Sequence, residues 1–301
     1  MTFEQALRLA GLRPRDVVAD GRIRRCDTES KPGRRNGWYV LNPDGHGSYG
    51  DWATGGSEAL GHWRDDRTTV DPAALARQQA LVAKNRERER AARVQAIRGA
   101  RQFWNMKARP VRSLHPYLAN KGLAAQGTAG LRACDGWLVI PVMFRGSVIS
   151  VQRISATGEK LFWPGAPVKG GYYLLDRPSA AVTVLCEGFS TGLAVYQCMR
   201  HARVVVAFDA GNLQPVTNEL RPTGSVVFVA DNDKGTLARR GFNPGIDKAK
   251  NAAELIGAGV MWFEGIEGTD AADALKQWGQ PGARRIERLI LAGARYVERP
   301  G

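Results

Sequence analysis
Three carboxylates in this chain stand at the ends of its most apolar runs. "VLCEGFSTGLAVY" (184–196) is hydrophobic up to Glu187, and "VVFVADNDKG" (226–235) closes on Asp231 and Asp233. In an extended chain, residues two apart point to the same side, so Asp231 and Asp233 converge if strand geometry persists. Two carboxylates about 4 Å apart repel by roughly 4 kcal/mol at an effective dielectric of about 20. A shared proton, a Lys or Arg, or a hard cation has to offset that. Oxygen donors with no His or Cys among them favour Mg²⁺ or Mn²⁺. Glu187, from a neighbouring strand, adds a third oxygen ligand or a base. Such a site suits phosphoryl or nucleotidyl transfer, where cations neutralise charge on phosphorus and activate an attacking hydroxyl. Each motif also has a plainer reading. "ADNDKG" can be a strand ending in an Asx-type turn, and "CEGFSTG" a tight turn in which Ser190 or Thr191 caps a helix. Both motifs together, in order and each closing an apolar strand, favour a site.

The elements that must position these acids have a clear rhythm. "VTVLC" (182–186), "VVVAF" (204–208), "VVFVA" (226–230) and "VMWF" (260–263) are short apolar runs rich in β-branched residues. Helix-compatible segments lie between them, at 190–199, near 216–220 and at 246–256. This alternation predicts an α/β fold, a parallel sheet flanked by helices. Ligands of such sheets gather at the carboxyl ends of the strands. Glu187, Asp209, Asp231 and Asp233 all fall on that rim.

Upstream, residues 110–178 read as a basic β-rich subdomain. "GWLVIPVMFRGSVISVQRIS" gives two strands joined at Arg145-Gly146-Ser147, and Arg153, Lys160 and Lys169 punctuate the region. Residues 71–109 carry ten basic and three acidic residues in a helix-forming linker, with Asp71 and Pro72 as N-cap and N1. Residues 1–70 form a small α+β module: an amphipathic helix, then "GWYVLNPDGHGSYGDWATGG" as a hairpin or small antiparallel sheet. Cys26, His46 and His62 there match no ligand spacing, and ordinary surface or packing roles are expected for them. The expected divisions are completed by a catalytic domain over 179–280 and a C-terminal helical segment over 281–301.

Composition narrows the partner. The chain has 301 residues, 44% of them hydrophobic, with 43 Lys and Arg against 29 Asp and Glu and a net charge of +14. That balance supports a packed core and favours a polyanionic partner. No apolar run approaches a membrane-spanning length, so no membrane is expected. "MTFEQALRLAGLRPRDV" lacks the long apolar stretch of a signal peptide, and a cytoplasmic location in a bacterial host is expected. Cys26, Cys134, Cys186 and Cys198 form no CxxC pair and are expected to be reduced thiols.

At these residues the chain resembles the Toprim domain, the metal-binding catalytic module of bacterial-type primases, topoisomerases and some nucleases. Glu187-Gly188 and Asp231-Asn232-Asp233 match its Glu-Gly and Asp-x-Asp motifs. The segment "GWLVIPVMFRGSVISVQRISATGEKLFWPG" with "VKGGYYLL" is similar to the basic subdomain that precedes Toprim in DnaG-type primases. "HPYLANKGL", "VVVAFDAGNLQPV" and "NPGIDKAKNAAE" resemble primase-like proteins of phages, plasmids and integrated elements. The resemblance covers roughly residues 110–275. It implies that Asp231 and Asp233 bind Mg²⁺ or Mn²⁺, with Glu187 binding metal or moving a proton. It further implies that Arg153, Lys160 and Lys169 line a groove for template or incoming nucleotide, and that Asp209, Gly211 and Asn212 form another loop at the catalytic edge. Asp270 and Asp273 echo an Asp-rich segment near the end of such domains. The expected activity is synthesis of short RNA primers from ribonucleoside triphosphates on single-stranded DNA. The alternatives are a Toprim metal-dependent nuclease and a non-catalytic single-stranded-DNA-binding replication accessory, with Trp38, Tyr39 and Trp52 as stacking platforms. Two departures stand out. Only Cys26 remains of any quartet in the N-terminal module, so zinc is not supported. The chain also lacks a GxxxxGK[ST] phosphate loop, which leaves unwinding to a separate replicative helicase.

Overall fold
The computed structural model describes residues 1–53, 60–64 and 72–298, in two compact units, Met1–Ala91 and Ala92–Gly301. Asp71, the expected N-cap of the linker helix, lies outside the described residues, as do 54–59 and 65–70 of the N-terminal module.

In the first unit, α1 (Phe3–Leu9) opens with a capping box in which Thr2 accepts from the Gln5 backbone and the Gln5 side chain reciprocates. Five antiparallel strands follow in sequential order: β1 (Leu12–Arg13), β2 (Arg24–Thr28), β3 (Gly37–Leu41), β4 (His46–Asp51) and β5 (Gly61–Arg64). Phe3, Leu7, Leu12, Cys26 and Tyr39 form their core. Cys26 therefore packs as a small hydrophobe, its thiol pushed up by burial. His62 bonds Ser48, and His46 faces Asp44. Trp38 and Tyr39 are buried, whereas Trp52 is 38% exposed and carries the Arg25 guanidinium 5.2 Å from its ring. The helix α2 runs from Pro72 to Gln102.

The second unit holds two sheets. The first is antiparallel, ordered β10-β9-β8-β7-β6, from β6 (Arg109–Pro110), β7 (Arg132–Cys134), β8 (Trp137–Phe144), β9 (Ser147–Ile154) and β10 (Lys160–Phe162); α3 (Pro116–Asn120) lies between β6 and β7. Arg145 and Gly146 join β8 to β9 with φ of 46° and 75°, the doubly left-handed turn that matches strand twist.

The second sheet is ordered β11-β13-β12-β14-β15, from β11 (Tyr173–Leu175), β12 (Val182–Cys186), β13 (Ala202–Val206), β14 (Gly224–Val229) and β15 (Gly259–Met261). β13, β12, β14 and β15 run parallel, but β11 is antiparallel to β13, and β16 (Arg295–Val297) is antiparallel to β14. The sheet is thus mixed, with its parallel part at the centre. Its helices are α4 (Phe189–Cys198), α5 (Leu213–Leu220), α6 (Lys234–Arg240), α7 (Pro244–Glu254) and α8 (Ala271–Gly293), the last broken at Gly279 (φ 65°) ahead of Pro281.

Alternation along the strands splits the core. Val184, Cys186, Val204, Val206, Val227 and Val229 face α4 and α8. Leu185, Val205, Val226 and Phe228 face α5 and α7. Strands covered on both faces become continuous apolar runs, which is why they were visible in the sequence. The first of these clusters also takes in Leu138, Ile140, Val142 and Ile154, so the two sheets share one core.

Candidate active site
Register builds the rim. Cys186 pairs with Val206 and with Val229, so the chain leaves β12, β13 and β14 level at their carboxyl ends. Glu187 is the next residue after β12. Asp209 lies three beyond β13, where its side chain accepts from Asn212 N at 2.9 Å. Asp231 follows Ala230, whose N–H is still paired to Met261.

The extended geometry does not persist through Asp231-Asn232-Asp233. β14 ends at Val229, and Asp233 takes φ −71°, ψ 62° as the N-cap residue of α6. Asn232 turns inward between them. Its amide donates to Phe263 O at 3.1 Å, and its Oδ1 accepts from Asn243 at 3.0 Å. Gly245 is required just beneath, because a Cβ there would strike the Asp231 carbonyl oxygen.

The rim is electrostatically strained. Burial, then the charges of Asp233 and Asp209, push the Glu187 carboxyl up to about 7, with Lys160 pulling the other way. Burial, then Glu187 and Asp270, push Asp231 well above the carboxylate range, against a hydrogen bond from Thr191 and the charge of Lys160. Asp209 is also raised, by burial. These shifts identify five acids sharing one field: Glu187, Asp209, Asp231, Asp233 and Asp270. The Thr191 hydroxyl donates to Asp231 at 3.2 Å and Ser190 to Asp270 at 3.4 Å. Neither residue caps α4, whose N-cap is Gly188.

The other sequence-predicted residues divide. Lys160, on the edge strand β10, bears on Glu187 and Asp231. Arg153, on β9, lies over the Trp137 ring with its Nε buried and unpartnered. Asn212 is buried, and its side chain is engaged within the fold: Nδ2 donates to Val168, Gly171 and Ala207 carbonyls, and Oδ1 accepts from Gly170 N at 2.7 Å. It clasps the loop bearing the exposed Lys169 to the rim and has little left to offer a nucleotide. Asn212→Ala leaves several of those groups unpaired and is expected to destabilise the chain by about 2–3 kcal/mol, read from the urea midpoint. Asp270 caps α8 by accepting from Asp273 N. Asp273 is drawn aside into a 3.1 Å pair with Lys121, where backbone hydrogen bonds and that cation outweigh burial and hold its carboxyl below the usual range. Ser190, Thr191, Lys121 and Asn243 were not singled out as site residues from the sequence. "FST" after Glu187-Gly188 was a signal for the first two, while Lys121 and Asn243 lie in "HPYLANKGL" and "NPGIDKAKNAAE", segments that carried the resemblance without a role for either residue.

As a metal site the rim is open. Among the described residues, no three His, Cys, Asp or Glu side chains are grouped closely enough to make a preformed cage. The donor chemistry nonetheless fits a hard cation: buried carboxylates with excess negative charge. Mg²⁺ in particular is bound through one or two carboxylates plus substrate phosphates, not by an all-protein cage.

Residues 182–281 match the Toprim domain family. The chain is 32% identical over 259 residues to a DNA primase TraC of Escherichia coli, covering 81% of this chain and 24% of that protein. A second DNA primase TraC of Escherichia coli is 29% identical over 329 aligned residues, covering 99% of this chain and 22% of that protein. The chain thus spans about a quarter of the length of these relatives. Among solved structures, the DnaG primase catalytic domain bound to ssDNA aligns with a TM-score of 0.42 at 16% identity, over 69% of this chain and 82% of that one. No described helix is long and apolar enough to cross a membrane.

Proposed function
We propose that this chain, a Toprim-domain protein over residues 182–281, is the catalytic region of a DNA primase. It joins ribonucleoside triphosphates into short RNA primers on single-stranded DNA, for replication of a phage or mobile element. The observation that carries this is the acidic rim, where burial and neighbouring carboxylates hold Glu187 and Asp231 above their usual range, Asp233 and Asp209 acting on the first and Glu187 and Asp270 on the second. Such a rim needs cations, and the surrounding chain is strongly basic.

Mg²⁺ or Mn²⁺, when bound, supplies charge neutralisation at the α-phosphate and lowers the pKa of the attacking 3′-hydroxyl. Glu187, Asp231 and Asp233 are the residues that would hold it. Thr191 fixes the Asp231 carboxylate by its hydrogen bond. Glu187, raised to about 7, is matched to accept a proton near neutral pH. The 3′-oxygen to phosphorus bond forms as pyrophosphate leaves, and no covalent enzyme intermediate is needed. Lys160, and Lys169 on its Asn212-clasped loop, contact nucleotide or template phosphates, as does Arg153. Asp209 shapes the adjacent turn, and Asp270 and Asp273 hold the start of α8 behind the rim.

The template also meets the N-terminal module. A cavity of about 540 Å³ there is lined by Arg13, Arg15, Arg24, Arg25 and Arg35, among others, which supports contact with phosphates. A separate helicase does the unwinding, and the bacterial cytoplasm is the site of action.

Incubation with single-stranded DNA, ribonucleotides and Mn²⁺ tests the reading. Wild type is expected to yield short oligomers, and Asp231→Ala about 10²–10³-fold fewer. Equal absence of product from both proteins across templates and metals would sink the primase assignment. Metal-dependent cutting without nucleotides would replace it with a nuclease.

A further inference from the structure
The helix α6 serves no packing purpose. None of its seven residues is buried, and an isolated helix shorter than about 12–15 residues is marginal in water. It is held at its two ends instead. At the start, Thr236 and Leu237 N–H groups bond Asp233 O at 2.9 Å, and the Lys234 ammonium bonds Ile266 O at 2.8 Å. At the far end Gly241 (φ 75°) closes the helix through its N–H to Leu237 O at 2.8 Å. The chain then returns to its own starting point. Asn243 Nδ2 donates to Asn232 at 3.0 Å, and Asn243 Oδ1 accepts from Asp233 N at 3.3 Å. Lys234 to Phe242 is therefore an excursion, stitched shut at the base against the two residues that follow Asp231.

What this excursion presents is specific. Lys234–Phe242 contains Lys234, Arg239 and Arg240 and no acid. Arg239 and Arg240 make no ion pair or hydrogen bond among the described residues. Arg239 lies back over the first turn of its own helix, its Nη1 3.4 Å from where a Cβ on Gly235 would be. Beside these cations Leu237 is 44% and Phe242 46% exposed, so two large apolar side chains face water next to a cluster of acids. Neither belongs to a core cluster.

We propose that the Lys234–Phe242 excursion is a strand holder: Arg239 and Arg240 take phosphates of a single-stranded nucleic acid, and Phe242 stacks on one of its bases. Positive charge interleaved with an exposed ring is the combination that binds single strands without reading sequence. Charge complementarity selects nucleic acid over a protein partner, since the excursion is wholly cationic. Anchoring at Asn232 and Asp233 means that a strand seated here is registered to the acidic rim. The inference rests on the primase reading for the use of that strand, but not for its binding.

Fluorescence anisotropy of the full chain with a labelled oligo-dT strand, without nucleotides, tests it. Phe242→Ala is expected to weaken binding about tenfold, and Phe242→Trp to restore it. Arg239→Ala with Arg240→Ala is expected to flatten the log–log salt dependence by about 1.4, at about 0.7 per phosphate contact on a single strand. All three proteins should melt with wild type, because nothing on α6 is buried and Phe242 is itself half exposed. Wild-type affinity and salt slope in every variant would overturn the proposal and mark the patch for a protein partner. Binding and synthesis fail separately. Primers from wild type with no binding loss in the variants removes only the strand holder. Binding loss in the variants with no primers from wild type removes only the primase reading.

Discussion

Glu187→Gln is expected to raise the melting temperature of the metal-free chain while removing the proposed primer synthesis. The Glu187 carboxyl sits at about 7 in the folded chain against an ordinary 4.5. At 1.36 kcal/mol per unit, 7 − 4.5 corresponds to about 3 kcal/mol of destabilisation once the group is ionised. The sign follows from linkage. The folded state holds this proton more tightly than the unfolded one, so folding stability falls as pH rises from about 4.5 to about 7. Above that window wild type carries the whole penalty and the glutamine variant none. Each kcal/mol moves a domain of this size by about 2–4 °C, so at pH 8 in EDTA the variant melts about 6 °C or more above wild type. At pH 4 the two coincide. A variant that melts lower at pH 8, or gains equally at both pH values, would refute the strained-rim account. DNA affinity should be unchanged, because on the proposed reading the rim reaches DNA only through metal and nucleotide.

This trade of stability for a charged site explains the neighbouring residues. Thr191 and Ser190 are buried hydroxyls placed against Asp231 and Asp270, where apolar residues would pack more simply. Gly192 lets α4 close onto β13, since a Cβ there would meet Val206 at 2.5 Å. The whole of α4 is thereby pressed against β13, the strand that leads to Asp209, bringing its hydroxyls to the rim.

How much of this was legible in the sequence depended on the range of the forces involved. Strand β12 was predicted residue for residue, and β13, β14 and β15 to within about two, because strands buried on both faces must be continuously apolar. The β8–β9 turn was legible from Arg145-Gly146 for an equally local reason. The antiparallel edges were legible only in part. "VKGGYYLL" is strand-like, but it was expected to belong to the subdomain over 110–178, whereas its β11 pairs with β13 of the second sheet. β16, three residues long, returns to β14 from within the segment 281–301 that was expected to be helical. At the site, the residue types and their rim position were legible, but the geometry between Asp231 and Asp233 was not. The alternation rule assumes that the strand continues, and here Asn232 is drawn inward by Phe263 and Asn243, partners distant in sequence. Asn212 was expected at the catalytic edge through the resemblance, in one loop with Asp209 and Gly211. Its partners are backbone groups of the Val168–Gly171 loop, about forty residues away, which no local pattern encodes. The resemblance grouped Asp273 with Asp270 in one Asp-rich segment, and Lys121, 152 residues distant, draws Asp273 aside.

Mn²⁺ should stabilise the wild-type chain in a pH-dependent way that Asp231→Asn abolishes. A ligand that binds only the folded state contributes about 2.7 kcal/mol at a hundredfold excess over its dissociation constant. For a domain of this size that is an upward shift of about 5–10 °C at pH 8. Cation binding requires ionised carboxylates, and Glu187 is half-protonated at about 7. Each pH unit below that value therefore costs about a factor of ten in apparent affinity, for each proton displaced. Asp231, lying well above the carboxylate range through burial and the Glu187 and Asp270 charges, sharpens the dependence. At pH 5.5 and the same Mn²⁺ concentration most of the shift should vanish. Asp231→Asn keeps the side-chain shape and the bond from Thr191 while removing one ligand charge and its repulsion. It should melt above wild type without metal and respond little to Mn²⁺ at either pH. A shift that is independent of pH and survives in Asp231→Asn would place the cation elsewhere on the chain, and the rim would lose its claim to the chemistry.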